Sequence, residues 1–135
     1  MSAGAIEVLE PATESVLEEV PRAGAEDVDA AVARAKDAFV SWRAVEPDDR
    51  SALLHDLVDA LEEAQEELAL LEARNAGKPI GDARAEMGMV IETFRYYASA
   101  PQRLLGDTIP VAGGIDMTFR EPLGVVGLIT PWNFP

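Results

Sequence analysis

Apolar residues recur at three- and four-residue steps through the middle of this chain and at shorter spacings near both ends. From residue 26 to 44 the apolar positions Val28, Ala31, Val32, Ala35, Ala38, Phe39 and Trp42 fall on one stripe, the mark of an amphipathic helix. Glu26, Asp27 and Asp29 sit in its first turn, where the helix dipole favours negative charge. Val45-Glu46-Pro47 stops it, since proline cannot continue the ladder. A second helix is predicted from about Pro47 to Asn75, with Leu53, Leu54, Leu57, Val58, Leu61, Leu68 and Leu71 as its stripe and Glu62, Glu63, Glu66 and Glu67 outside. Gly77 and Pro79 end it. A third is predicted over roughly Gly81 to Ala100, with Met87, Val90, Ile91, Phe94, Tyr97 and Ala98 inward and Pro101 as its stop.

The flanks have a different pattern. Residues 5–21 predict two short strands around a Pro11-Ala12-Thr13 turn. Thr108 to Arg120, with Gly113-Gly114 in the middle, predicts a second β-hairpin. Leu123 to Thr130 is almost wholly apolar rather than alternating. That is the pattern of a strand buried on both faces of a parallel sheet, whose neighbours arrive through crossovers of a dozen or more residues. No residues follow Pro135, so the chain is expected to be the front end of a larger α/β protein.

Composition narrows the chemistry. The 135 residues fit one domain and include no cysteine and one histidine, His55. Disulfides, thiolate metal sites and a cysteine nucleophile are therefore excluded from this chain, and a His/Cys zinc site is not expected. The net charge of −14 is uneven: residues 1–75 hold six basic against nineteen acidic side chains. A nucleic-acid binder needs a basic face for phosphates, so no nucleic-acid partner is expected, nor an anionic membrane surface. The acidic side chains fit solvated helix faces. No apolar run reaches the ~20 residues of a membrane helix, and the N-terminus has no basic-then-apolar signal pattern. A cytoplasmic location is the expectation.

Few residues suggest chemistry. His55 lies at the edge of a helical stripe, with no serine and orienting group to complete a triad. Gly124-Val125-Val126-Gly127 lacks the three-glycine strand-turn-helix fingerprint, and close backbone approach explains it better. Thr130-Pro131-Trp132-Asn133-Phe134-Pro135 differs, because it follows the carboxyl end of the expected buried strand, where ligands bind in open α/β sheets. An Asn133 amide there can donate to a developing oxyanion, or it can cap a following helix.

Segments along the whole chain resemble the N-terminal part of the aldehyde dehydrogenase superfamily. They are Pro11-Ala12-Thr13, Val20-Pro21, Ala25 to Val32, Ala38-Phe39 with Trp42, and Gly77-Lys78-Pro79-Ile80. Further along come Phe94 to Ala98, Gly106 to Pro110, and Arg120 to Gly127 running into Thr130 to Pro135. Glu10 and Glu14 stand where family members usually have Asn and Gly.

The resemblance implies an α/β fold made of a short β-hairpin, three amphipathic helices, a hairpin of the oligomerisation arm and the first buried strand of the Rossmann-like cofactor domain. Its expected units are 1–107, a helical part of the NAD(P)-binding domain; 108–121, the arm hairpin; and 122–135, the first strand of the cofactor sheet. The implied reaction oxidises a small aldehyde to an acid through a cysteine thiohemiacetal, with NAD or NADP as cofactor, no metal, and a homo-oligomer (dimer or tetramer). Ile129, Thr130, Pro131 and Trp132 match the segment along the nicotinamide ribose, and Asn133 matches the oxyanion-hole asparagine. The family's cysteine nucleophile and glutamate base match nothing in these residues, so the chain alone is expected to be inactive. A stand-alone helical interaction module is the alternative.

Overall fold

The computed structural model describes residues 4–133. Phe134 and Pro135, which complete the terminal motif and the expected 122–135 unit, lie outside the described residues, as do Met1 to Ala3. In order, the elements are β1 (Ala5–Glu10), β2 (Ser15–Pro21), α1 (Ala25–Trp42), α2 (Pro47–Glu63), α3 (Gln65–Ala76), α4 (Ile80–Ala98), a 3-10 turn (Pro101–Arg103), β3 (Thr108–Val111) and β4 (Gly114–Met117). The expected mixture of helices and short sheets is present, each sheet being a two-stranded antiparallel hairpin.

Two features depart from the sequence expectation. The predicted helix from Pro47 to Asn75 is two helices, making four α-helices among the described residues, because Ala64 (φ −90°, ψ 2°) leaves the helical region between α2 and α3. Neither glycine nor proline stands there. The account is tertiary: α4 packs against both α2 and α3, on the two sides of the bend. The second departure is at 123–130, which runs as backbone belonging to no strand. A strand exists only through ladder partners, and both described sheets are complete as hairpins. Among the described residues alone, Leu128 is 85% and Ile129 101% exposed.

The first hairpin pairs Ala5 with Pro21 and Ile6 with Val20, then shifts register between Val8 and Leu9. This bulge leaves Leu17 as the one half-buried residue of β2. Its turn places Glu14 at φ +58°, the left-handed region that glycine occupies without steric penalty. Glu14 N donates to Glu10 O at 2.8 Å, closing the turn. Arg74 on α3 bonds Glu10 at 3.1 Å, tying the hairpin to the helices.

The core lies between α2, α3 and α4 and is small. Val58, Ala69, Ala83, Ile91 and Ala98 are its buried apolar residues. Val58, 2% exposed, is worth about 1.5–3 kcal/mol of burial. Ion pairs bridge the rim, Arg84 to Glu66 between α4 and α3 and Arg95 to Glu62 between α4 and α2. Helix α1 stands apart from this core. Its Ala35, Ala38, Phe39 and Trp42 face one groove together with Gly124, Val125 and Val126. Arg50 of α2 secures the loop after α1, donating to Val45 O at 2.8 Å while its guanidinium lies 5.5 Å from the Trp42 ring centroid.

The second hairpin is closed at a neck. Thr118 N donates to Asp107 O and Asp107 N donates to Thr118 Oγ1, each at 2.9 Å. Gly106 makes this approach possible, because a Cβ there would stand 1.8 Å from Thr118 O.

Candidate active-site segment

The α3–α4 junction is built from Gly77-Lys78-Pro79. Gly77 ends α3 at φ +72° in the left-handed cap conformation, which an L side chain adopts with strain. A Cβ there would also lie 3.0 Å from the Cβ of Pro11 in the first hairpin turn. Pro79 then sets the first residue before α4. Between them Lys78 turns inward, its side chain 13% exposed. Its Nζ is 2.6 Å from Glu72 Oε1 of α3 and 2.5 Å from Glu86 Oε2 of α4. The Glu72 contact is short enough for a charge-assisted pair although it is off the best hydrogen-bond line. Glu72 first, and Glu86 second, hold the Lys78 ammonium above the ordinary lysine range, so it is charged at physiological pH.

Lys78 also reaches the end of the described chain, where Nζ donates to the main-chain O of Asn133 at 2.8 Å. Asn133 follows Trp132 in a turn, and Ile129, Thr130 and Pro131 run before it outside any helix or strand. Trp132 is 77% exposed. The five candidate residues from the sequence thus lie on one exposed run of backbone, fastened through Asn133. An apolar groove of about 450 Å³ lies beside the same cluster, formed by Leu68, Leu71, Ala83, Met87 and Val90 with Glu72 and Glu86 at its edge.

The cluster itself was missed in the sequence. The available signal was a glutamate on each side of Gly-Lys-Pro, about one turn before the end of α3 and within the second turn of α4. Two helices joined by three residues bring such positions together. His55 is exposed on α2, consistent with a surface histidine. Among the described residues no group of His, Cys, Asp and Glu could hold a metal ion, and no helix is long and apolar enough to cross a membrane.

The profile of the aldehyde dehydrogenase family matches residues 1–135. The chain belongs to the aldehyde dehydrogenase family. Over 129 residues it is 45% identical to DhaS of Bacillus subtilis (strain 168), a match covering 93% of this chain and 26% of DhaS. Its fold superposes with a TM-score of 0.91 on glyceraldehyde-3-phosphate dehydrogenase GapN from Methanocaldococcus jannaschii DSM 2661 complexed with NADP, at 31% identity. That match covers all of this chain and 30% of GapN. A betaine aldehyde dehydrogenase double mutant from Staphylococcus aureus, in complex with NAD+, gives a TM-score of 0.91 at 29% identity over 98% of this chain and 27% of that one. This aldehyde dehydrogenase chain therefore spans between a quarter and a third of the length of these three relatives.

Proposed function

We propose that these residues supply one oxyanion donor and one wall of the nicotinamide groove in an enzyme that oxidises a small aldehyde to its acid with NAD or NADP. The observation that carries this reading is the run Ile129-Thr130-Pro131-Trp132-Asn133, outside every described helix and strand and fastened at Asn133. It occurs in a fold shared with dehydrogenases solved with NAD+ and with NADP.

Residues 129–132 suit a cofactor wall. Their peptide groups belong to no described helix or sheet, which leaves them open to a ribose. Pro131 has a fixed φ and no N–H, so the wall is stiff at its centre. Ile129 and Trp132 present apolar surface that would exclude water from the reacting carbon. The bound nicotinamide supplies the acceptor for hydride, and the protein supplies orientation.

Asn133 acts on the oxygen. As a thiolate adds to the aldehyde, the carbonyl oxygen gains negative charge, and a fixed amide N–H is worth more to that anion than to the neutral carbonyl. The chain has no cysteine, so the thiolate comes from outside these residues, and by resemblance so does the glutamate base. Supplied alone with aldehyde and NAD(P), the chain is expected to form no reduced cofactor. The exposed hairpin of β3 and β4 is assigned to the oligomer contact, and the cytoplasm is the assigned compartment.

Asn133→Ala in the complete dehydrogenase tests the reading. Turnover should fall roughly 10²–10³-fold, as for the loss of one oxyanion donor, with cofactor and aldehyde affinity much less changed. If Asn133 is a helix cap instead, alanine lowers stability by about 0.5–2 kcal/mol and leaves turnover alone. Normal turnover with a lowered melting temperature would overturn the oxyanion role.

A further inference from the structure

We propose that Lys78 is a positioning residue for this site: seated between Glu72 and Glu86, it grips the main-chain carbonyl of Asn133 and fixes where that residue's side-chain amide stands. The inference rests on the oxyanion-donor reading of Asn133 and adds to it a residue 55 positions away.

A free lysine is a poor positioning device, because its four-carbon stem samples many rotamers. Lys78 is different. Carboxylates from two packed helices hold its Nζ at 2.6 and 2.5 Å, and its side chain is largely covered. The ammonium is therefore fixed relative to the helical core before it meets the carbonyl at 2.8 Å. A hydrogen bond from an ionised donor is roughly twice as strong as a neutral one.

Leu128, Ile129 and Trp132 are mostly or wholly exposed, so their side chains do little to fix the backbone against the described helices. The grip is also taken on the right atom. Lys78 uses the Asn133 carbonyl, leaving the side-chain amide for a substrate oxygen. A misplacement of about 1 Å in such a donor can lower the rate ~10²-fold, so a remote anchor can act on turnover without touching substrate.

The test is a double-mutant cycle in the complete dehydrogenase containing these residues, using Lys78→Met, Lys78→Arg, Asn133→Ala and the Lys78→Met/Asn133→Ala pair. Lys78→Met should lower kcat about 10- to 100-fold with aldehyde KM within a few-fold, and Lys78→Arg should recover most of it. The pair should lose much less than the product of the two single losses, because most of what the anchor positions is gone with the amide. Hydrogen exchange of a peptide spanning 128–133 should quicken in Lys78→Met and not in Lys78→Arg. If Lys78→Met fails to fold, Lys78→Gln gives the same readings.

Unchanged kcat in Lys78→Met beside a slow Asn133→Ala would overturn the positioning role alone. So would independent, multiplying losses in the pair, which mark a merely structural lysine. Unchanged kcat in Asn133→Ala would instead remove the oxyanion reading, and with it this one.

Discussion

Replacing Gly106 by alanine sets a methyl carbon against the neck of the second hairpin. The new Cβ would stand 1.8 Å from Thr118 O and 2.8 Å from its carbonyl carbon. These are backbone atoms, and no rotamer change relieves the clash. Ordinary contact requires a separation of about 3.4 Å, so the two segments must part by roughly 1.5 Å. The bonds between Asp107 and Thr118 are 2.9 Å long and would not survive that displacement. Two bonds at about 0.5–1.5 kcal/mol each give a local loss of about 1–3 kcal/mol. Native-state hydrogen exchange is the suitable assay, because the damage is confined to one neck. Protection of the Asp107 and Thr118 amides should fall roughly 5- to 150-fold, while amides of Val58 and Ile91 in the core keep theirs. Gly88→Ala serves as control, since a Cβ there meets nothing within 4 Å and alanine favours a helix interior, here that of α4, by about 0.5–1 kcal/mol. Equal neck protection in the two variants would refute the steric argument.

Glu14→Gly should stabilise the chain by about 0.5–1 kcal/mol, since the left-handed φ of Glu14 costs about 1–2 kcal/mol for an L side chain and glycine returns part of that as lost entropy; urea denaturation measures it, and a destabilised variant would contradict the assignment of strain. Stability should also fall in acid. Arg74, then Thr13, holds the Glu10 carboxyl below its ordinary value near 4.5, and Arg84 does the same for Glu66. Depressed carboxyl values stabilise the fold above about pH 4.5 and lose that contribution as pH falls through the lowered values. The melting temperature should therefore drop below about pH 4.5, with a shallower drop in Glu10→Gln/Glu66→Gln; an unchanged slope would show that these pairs play no part.

Much of the framework was legible because it depends on local chemistry. The 35/38/39/42 spacing needs only the helical period to put four side chains on one side. Pro47 at a first helical position and Gly77 in a left-handed cap follow from what those residues permit. Gly113 at φ +82° in the second hairpin turn is of the same kind. The break at Ala64 was not legible, since alanine is a good helix former and the bend answers to α4, whose position no local pattern encodes. The apolar run 123–130 shows the limit differently. Apolarity states what a segment would bury, while burial requires neighbours. In the site, the motif from Thr130 to Asn133 was visible as residue types. Its attachment was not, because nothing in the order of residues says that position 78 meets position 133.

The groove shared by α1 and residues 124–126 has a consequence in time. The apolar stripe of α1 ends at Trp42, and the segment facing it begins about eighty residues later. At synthesis rates of about 5–20 residues per second, the stripe waits roughly 4–16 s for its cover. Helices of this length form and fray within about a microsecond, so throughout that interval α1 is an amphipathic stripe that repeatedly forms with no tertiary face to hold it. Phe39 and Trp42 are then available to any other apolar surface nearby. The nascent chain thus passes through an interval in which its earliest helix can be held by a chaperone or captured by a neighbouring chain, and the arrival of Val125 and Val126 covers the stripe only in part, Trp42 remaining 44% exposed.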